Sequence, residues 1–335
     1  MSVDNHPRES KSGASPIKKA EELYARYIRN RTVVLHPTVL VLATYVLLLL
    51  SKIVDLTLVN RENEYYSVVI LQMMIFLLPG AIWCRFSGEN YLSGLRLRLF
   101  RLSSLPLILS ASLLMASGGL LLGVLFGGTE ALSQSFSLYD TFISKNNGSV
   151  PNTIYLVLAY AILPSICEEL IYRGILCREY ESGGVLRAVT FSTLFFALLH
   201  FNLENLPVYL FSGAILAMTL YATRSLLGSM LAHFLYNLFG LFGQPFINNL
   251  YRITGSTELF LFLTILLFLI SAGVFCGEAS RLYRGYLWRG YSSDYRKPIL
   301  KDSLSIRNSY LSVLKKPSAI ACFAVYLIAL LVAFL

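Results

Sequence analysis

Long apolar runs alternate along the chain with short polar and basic segments. A helix that crosses a bilayer needs about 20 predominantly apolar residues. Runs of that character fall at 37–54, 67–83, 105–126, 153–178, 188–201, 207–222, 227–247, 259–276 and 319–335. Several are short or carry charge, so the pattern predicts an all-α membrane protein, a polytopic helical bundle of about eight or nine transmembrane helices. Residues 1–31 are polar and basic. They have the character of a cytosolic tail before an uncleaved first span, not of a signal peptide.

Composition agrees with the pattern. Hydrophobic residues make up 56% of the 335, charged residues only 14%, and the mean hydropathy is +0.61. A soluble domain carries about a quarter charged residues, so an ordinary soluble enzyme is excluded. The net charge of +9 would point to nucleic acid in a soluble protein. Here the cations lie between apolar runs and read as topology signals and contacts to anionic lipid headgroups, with no nucleic-acid partner.

Placing the N-terminus inside assigns all but Lys52, Arg61, Lys145 and Arg252 of the 28 basic residues to one side. That is the bias expected of cytoplasmic loops. It predicts a cytosolic N-terminus and a C-terminus on the opposite side. The five cysteines form no metal-ligand spacing and read as reduced bystanders.

Smaller features have structural readings. Gly119, Gly123 and Gly127 repeat every four residues, a face for close helix packing. Residues 92–102 mix Leu and Phe with Arg96, Arg98 and Arg101, which suits a segment lying along the interface. Tyr286, Trp288, Tyr291 and Tyr295 alternate with basic residues, as interfacial anchors do. Asn147-Gly148-Ser149 is a glycosylation sequon.

Ionisable residues inside a span are costly and by default mark function. The fourth run carries Glu168, Glu169 and Arg173, the fifth ends at His200, and the seventh carries His233 and Asn237. Glu169 and Arg173 are four apart with the acid N-terminal, the favoured order for an ion pair on one helix face. Glu168 is rotated by about 100° from Glu169 and lacks that partner. Glu169 therefore reads as structural and Glu168 as chemical.

Ser182-Gly183-Gly184 signals a turn between the fourth and fifth runs. Measured from it, Glu168 and His200 both lie about 23–25 Å along antiparallel helices, at one level. His233 and Asn237, again four apart, share a face. Pro164 removes a backbone donor just before the acids.

The ordered set Glu-Glu-x-x-x-Arg, Phe-x-x-x-His and His-x-x-x-Asn, carried by Glu168, Glu169, Arg173, Phe196, His200, His233 and Asn237, resembles the CAAX-processing and bacteriocin-processing membrane proteases (CPBP or ABI family). The resemblance covers about 153–240. It implies an intramembrane glutamate-type endopeptidase with a CPBP-type catalytic core and no cofactor. Glu168 and His200 would activate water, His233 and Asn237 would form an oxyanion hole, and Glu169 with Arg173 would hold the constellation. The substrate implied is a membrane-associated peptide or lipidated protein.

His200 is followed by Phe201-Asn202 with no further histidine. This is more similar to the prokaryotic branch than to eukaryotic prenyl-protein proteases. It points to a bacterial plasma membrane, with the endoplasmic reticulum as the alternative, and does not by itself imply a prenylated substrate. The domain expectation is a basic tail (1–32), N-terminal transmembrane helices (33–152), a catalytic membrane core (153–247), and C-terminal helices with a basic loop (248–335).

Other readings use the same residues. A zinc protease would take Glu168 or Glu169 with His200 and His233 as ligands. A Cys167 nucleophile, a proton-coupled transporter and a non-catalytic immunity protein complete the set.

Overall fold

In a computed structural model, residues 35–58, 69–88, 91–128, 153–288 and 303–334 are described. The basic tail, Asn147, Tyr291 and Tyr295 lie outside them. The chain is an all-α polytopic membrane protein. Its helices are α1 (Pro37–Leu58), α2 (Val69–Phe86), α3 (Leu105–Gly127), α4 (Thr153–Gly183), α5 (Val185–Leu199), α6 (Leu206–Thr223), α7 (Leu226–Thr254), α8 (Thr257–Trp288), α9 (Ser303–Leu314) and α10 (Pro317–Phe334).

Each of the expected apolar runs coincides with a helix. Among the described residues, six helices are long and apolar enough to cross a membrane, or seven if the pair 306–314 and 317–332, bent by 59°, counts as one span. The expectation was eight or nine. The difference lies in short helices such as α5, whose 15 residues reach only about 22 Å against a hydrocarbon core of about 30 Å.

α3 is the hub, packed against α6, α7 and α8. The predicted glycine face packs at Gly119, where an added Cβ would meet Tyr236 and Val208 at 3.4 Å, but the closest approach is at its neighbour. A Cβ on Gly118 would meet the Phe211 ring at 2.3 Å, whereas one on Gly123 would meet nothing within 4 Å. The tightest contact thus falls one residue before the repeat, and within the repeat Gly119 packs while Gly123 does not.

α4 is not a regular helix. It widens into a π turn at Leu158–Ile162, returns to α geometry over Leu163–Glu169, and widens again at Leu170–Leu176. A proline clashes with the carbonyl four residues earlier, which for Pro164 is Tyr160, inside the first π turn. The same arrangement occurs in α2, where the π turn Met73–Leu77 precedes Pro79. Backbone freed at membrane depth needs a neighbour, and Gln72 Nε2 donates to the Ala159 carbonyl at 3.0 Å.

The turn after α4 forms as its residues predict. Gly184 adopts φ 103°, a left-handed conformation that favours glycine, between the 3-10 turn Glu181–Gly183 and α5. α5 then runs back along α4, fixed in register by Ser192 Oγ donating to Tyr172 O at 2.8 Å.

The 92–102 segment straps the start of α7. Arg98 Nε donates to Arg224 O at 2.7 Å, Leu226 N donates to Arg96 O at 2.9 Å, and Ser225 Oγ, the N-cap of α7, bonds Arg98 O. Leu99 and Leu102 stay exposed, so the segment keeps an apolar outer edge.

α1 and α10 lie side by side in parallel. Thr38 Oγ1 and Ser318 Oγ, both in first turns, are 2.5 Å apart, and farther along Tyr45 and Tyr326 both pack on Phe201. The beginning of α1 and the end of α10 therefore lie at opposite faces of the bundle.

Candidate active site

The site is built where α4, α5, α6 and α7 meet. Glu169 is fully buried; it accepts from His233 Nδ1 at 3.0 Å and Ser229 Oγ at 2.5 Å, and forms an ion pair with Arg173, whose Nη1 lies 2.9 Å away. A buried carboxylate is stable only when paired and hydrogen-bonded, and here both oxygens are engaged. Arg173 is also fixed from other directions. Its Nη2 donates to Gly213 O at 3.0 Å, and its guanidinium lies 4.1 Å from the centroid of the Phe196 ring. A cation over an aromatic face gains further when desolvated.

Phe196 is the hinge of the aromatic packing. Its ring meets His200, His233 and Tyr172 edge-on at 5.0, 5.8 and 5.7 Å. His200 caps α5, where its Nδ1 lies 3.0 Å from Phe196 O. A carbonyl oxygen only accepts, so Nδ1 carries the proton, and in the neutral ring Nε2 is left with the lone pair. Tyr209 of α6 stacks on that ring, with centroids 3.8 Å apart at 14°.

Glu168 is rotated by about 100° around α4 from Glu169. Its side chain is half-buried and its Oε2 is buried without a hydrogen-bond partner among the described residues. It interacts electrostatically with His233, Glu169 and Arg173, and also with Tyr209. Among the described residues Glu168 and His200 make no direct bond; Tyr209 stacks on His200 and also feels the charge of Glu168. Asn237 follows His233 by one turn on the same face of α7. It is half-buried, with no side-chain hydrogen bond among the described residues.

The sequence pairing of Glu169 with Arg173 is present. His233 occupies a place the sequence reading did not give it, because its Nδ1 is committed to Glu169 and only Nε2 is left for a reacting group. Ser229, Gly213 and Tyr209 were missed. For Ser229 a signal existed: Ser229, His233 and Asn237 repeat every four residues along one face of α7. Nothing in the local sequence marks Gly213 or Tyr209.

Among the described residues, no three His, Cys, Asp or Glu side chains are grouped to hold a metal ion. Glu169 and His233 are spent on one another. Cys167 packs in the hydrophobic core.

Residues 150–239 match the family model of type II CAAX prenyl endopeptidases, Rce1-like. The segment is thus similar to a family of membrane proteases, and it contains Glu168, Glu169, Arg173, His200, His233 and Asn237. α1 to α3 and α8 to α10 lie outside it. No curated protein and no solved structure matches the chain.

Proposed function

We propose that this protein is an intramembrane endopeptidase that hydrolyses a peptide bond near the membrane, with Glu168 as general base. The observation that carries the reading is the contrast at Glu168. It has a buried carboxylate oxygen with no partner, beside a carboxylate whose oxygens are both engaged, within the matched segment. A carboxylate with free acceptor capacity can hold a water and take its proton.

In the proposed reaction, Glu168 accepts a proton from water as the water oxygen bonds to the scissile carbonyl carbon. His200 orients the water through Nε2. The carbonyl electron pair moves to oxygen, and preorganised donors stabilise that oxyanion. Asn237 supplies an amide N–H, and His233 supplies Nε2–H when the ring carries both protons. Glu168 then delivers its proton to the amide nitrogen as the C–N bond breaks and the carbonyl re-forms. Glu169, Arg173 and Ser229 position His233.

The bond between His233 Nδ1 and Glu169 favours a second assignment within the same enzyme. In it, Glu169 orients His233 as the base and Glu168 binds the leaving amine. The substrate is proposed to be a membrane-tethered or lipidated peptide, and the domain division is proposed as 1–32, 33–152, 153–247 and 248–335. The basic face is proposed to be cytosolic, in a bacterial plasma membrane.

The test is proteolysis in liposomes of a library of tethered and lipidated peptides by wild type and Glu168→Gln. Cleavage that disappears in the variant, with folding intact, is the expected result. Cleavage that survives in Glu168→Gln and is lost in His233→Gln selects the second assignment. No cleavage by the folded wild type removes the protease reading.

A further inference from the structure

A second polar cluster lies away from these residues, at the opposite end of α5. Arg187 in the first turn of α5, His36 just before α1 and Lys316 at the bend before α10 come together there. Lys316 and Arg187 both act electrostatically on His36. His36 and Arg187 are half-buried and Lys316 is exposed, so the cluster is open to a ligand.

Among the described residues no carboxylate pairs with Arg187 or Lys316. Arg187 donates through Nη1 to Ser309 Oγ at 2.6 Å, and its Nε is buried without a partner among the described residues. His36 Nδ1 is taken by Thr38 Oγ1 at 2.7 Å. Beneath them lies Tyr180, its ring 6.2 Å from His36 and 5.7 Å from the Arg187 guanidinium, with a buried hydroxyl that also lacks a partner. Glu179, a carboxylate that acts on Tyr180, accepts from the Tyr91 hydroxyl at 2.6 Å.

The first turns of α1 and α10, joined through Thr38 and Ser318, begin at the same place. Two cations, Arg187 and Lys316, and two donors without partners among the described residues therefore converge beside the His36 imidazole, an arrangement suited to an anion.

We propose that Arg187, His36 and Lys316 form a phosphate-binding site at the basic face of the bundle. The phosphate is borne either by a membrane lipid or by a free anion. Basic pockets between helices are suited to lipid headgroup phosphate, and Arg187, with its free Nε and forked guanidinium, suits a tetrahedral oxyanion. The site is independent of the proteolytic reading.

Full-length protein in zwitterionic micelles is titrated with dihexanoylphosphatidylglycerol and, separately, with inorganic phosphate against chloride at equal ionic strength. Binding is followed through the ring resonance of His36, assigned with His36→Gln. A saturable shift is expected, with affinity at least tenfold weaker in Arg187→Gln and Lys316→Gln and unchanged in Lys315→Gln, which removes the same charge one residue away.

Response to the lipid alone identifies a lipid-borne phosphate, and response to both identifies phosphate itself as the ligand. Lys316, being exposed, keeps the test valid should Arg187→Gln fail to fold. The absence of a saturable shift with either probe overturns the site. So does equal weakening by Lys315→Gln and Lys316→Gln, which marks diffuse attraction.

Discussion

On one side of α4, Glu169 accepts from His233 and Ser229, is ion-paired with Arg173 and is closed off from solvent. One residue earlier and about a quarter-turn around the helix, Glu168 keeps an oxygen without a partner on a half-buried side chain. The two are covalent neighbours of the same type in the same span. Their difference is made by what α5, α6 and α7 present to each face, and it separates a carboxylate that holds helices together from one left free to react. The cluster of Arg187, His36 and Lys316 extends the lesson, since there too polar groups stay unmatched where a ligand would complete them.

The largest effect is expected at the free carboxylate. Glu168→Gln should lower peptide cleavage by about 10²–10⁴-fold, the range general acid–base groups supply, with an unchanged unfolding midpoint. Next comes the closed side. Arg173→Met should cost about 3–5 kcal/mol by stranding Glu169, and unaltered stability in detergent would falsify the structural role of the pair. Ser229→Ala should destabilise by about 1.5–3 kcal/mol, the scale of a hydrogen bond to a charged group. Stability and activity should fall together in that variant.

Tyr209→Leu separates positioning from folding. With the His200 ring unstacked, kcat should drop by about tenfold through misalignment, while KM and the unfolding midpoint stay close to wild type. An equal loss of stability would make Tyr209 a packing residue.

The smallest effect concerns His36, whose pKa is pushed down to about 4 by burial first and then by Lys316 and Arg187. The ordinary value is about 6.5, so as pH falls the unfolded chain takes the proton before the folded one. His36 then costs no stability above about pH 6.5 and an increasing amount from there down to about pH 4. The difference in unfolding midpoint between wild type and His36→Gln should therefore open over that window in favour of the variant. A pH-independent difference would contradict it.

Much of this was legible because periodicity and composition respond to the membrane directly. Apolar runs mark helices whatever their neighbours, and four-residue spacing marks a shared face. Hence the helices, the turn at Gly184 and the pairing of Glu169 with Arg173 could all be read from the chain. The count of spans was less legible, because a short run such as α5 looks like a span until its length in ångströms is set against the bilayer. Gly118 makes a closer contact than Gly119 of the repeat because an interhelical crossing is fixed by both partners, and Phe211 lies far away in sequence.

The sequence by itself determined a helical membrane protein, the polar residues that do not belong in lipid, and which of them share a helix face. Those properties follow from hydropathy and helical geometry, which are local. Only the tertiary structure decided that His233 turns Nδ1 toward Glu169, that Tyr209 stacks on His200, and that Arg187, His36 and Lys316 meet. Each joins residues from different helices, and the relative rotation and register of packed helices are set by side-chain interlocking across the whole bundle.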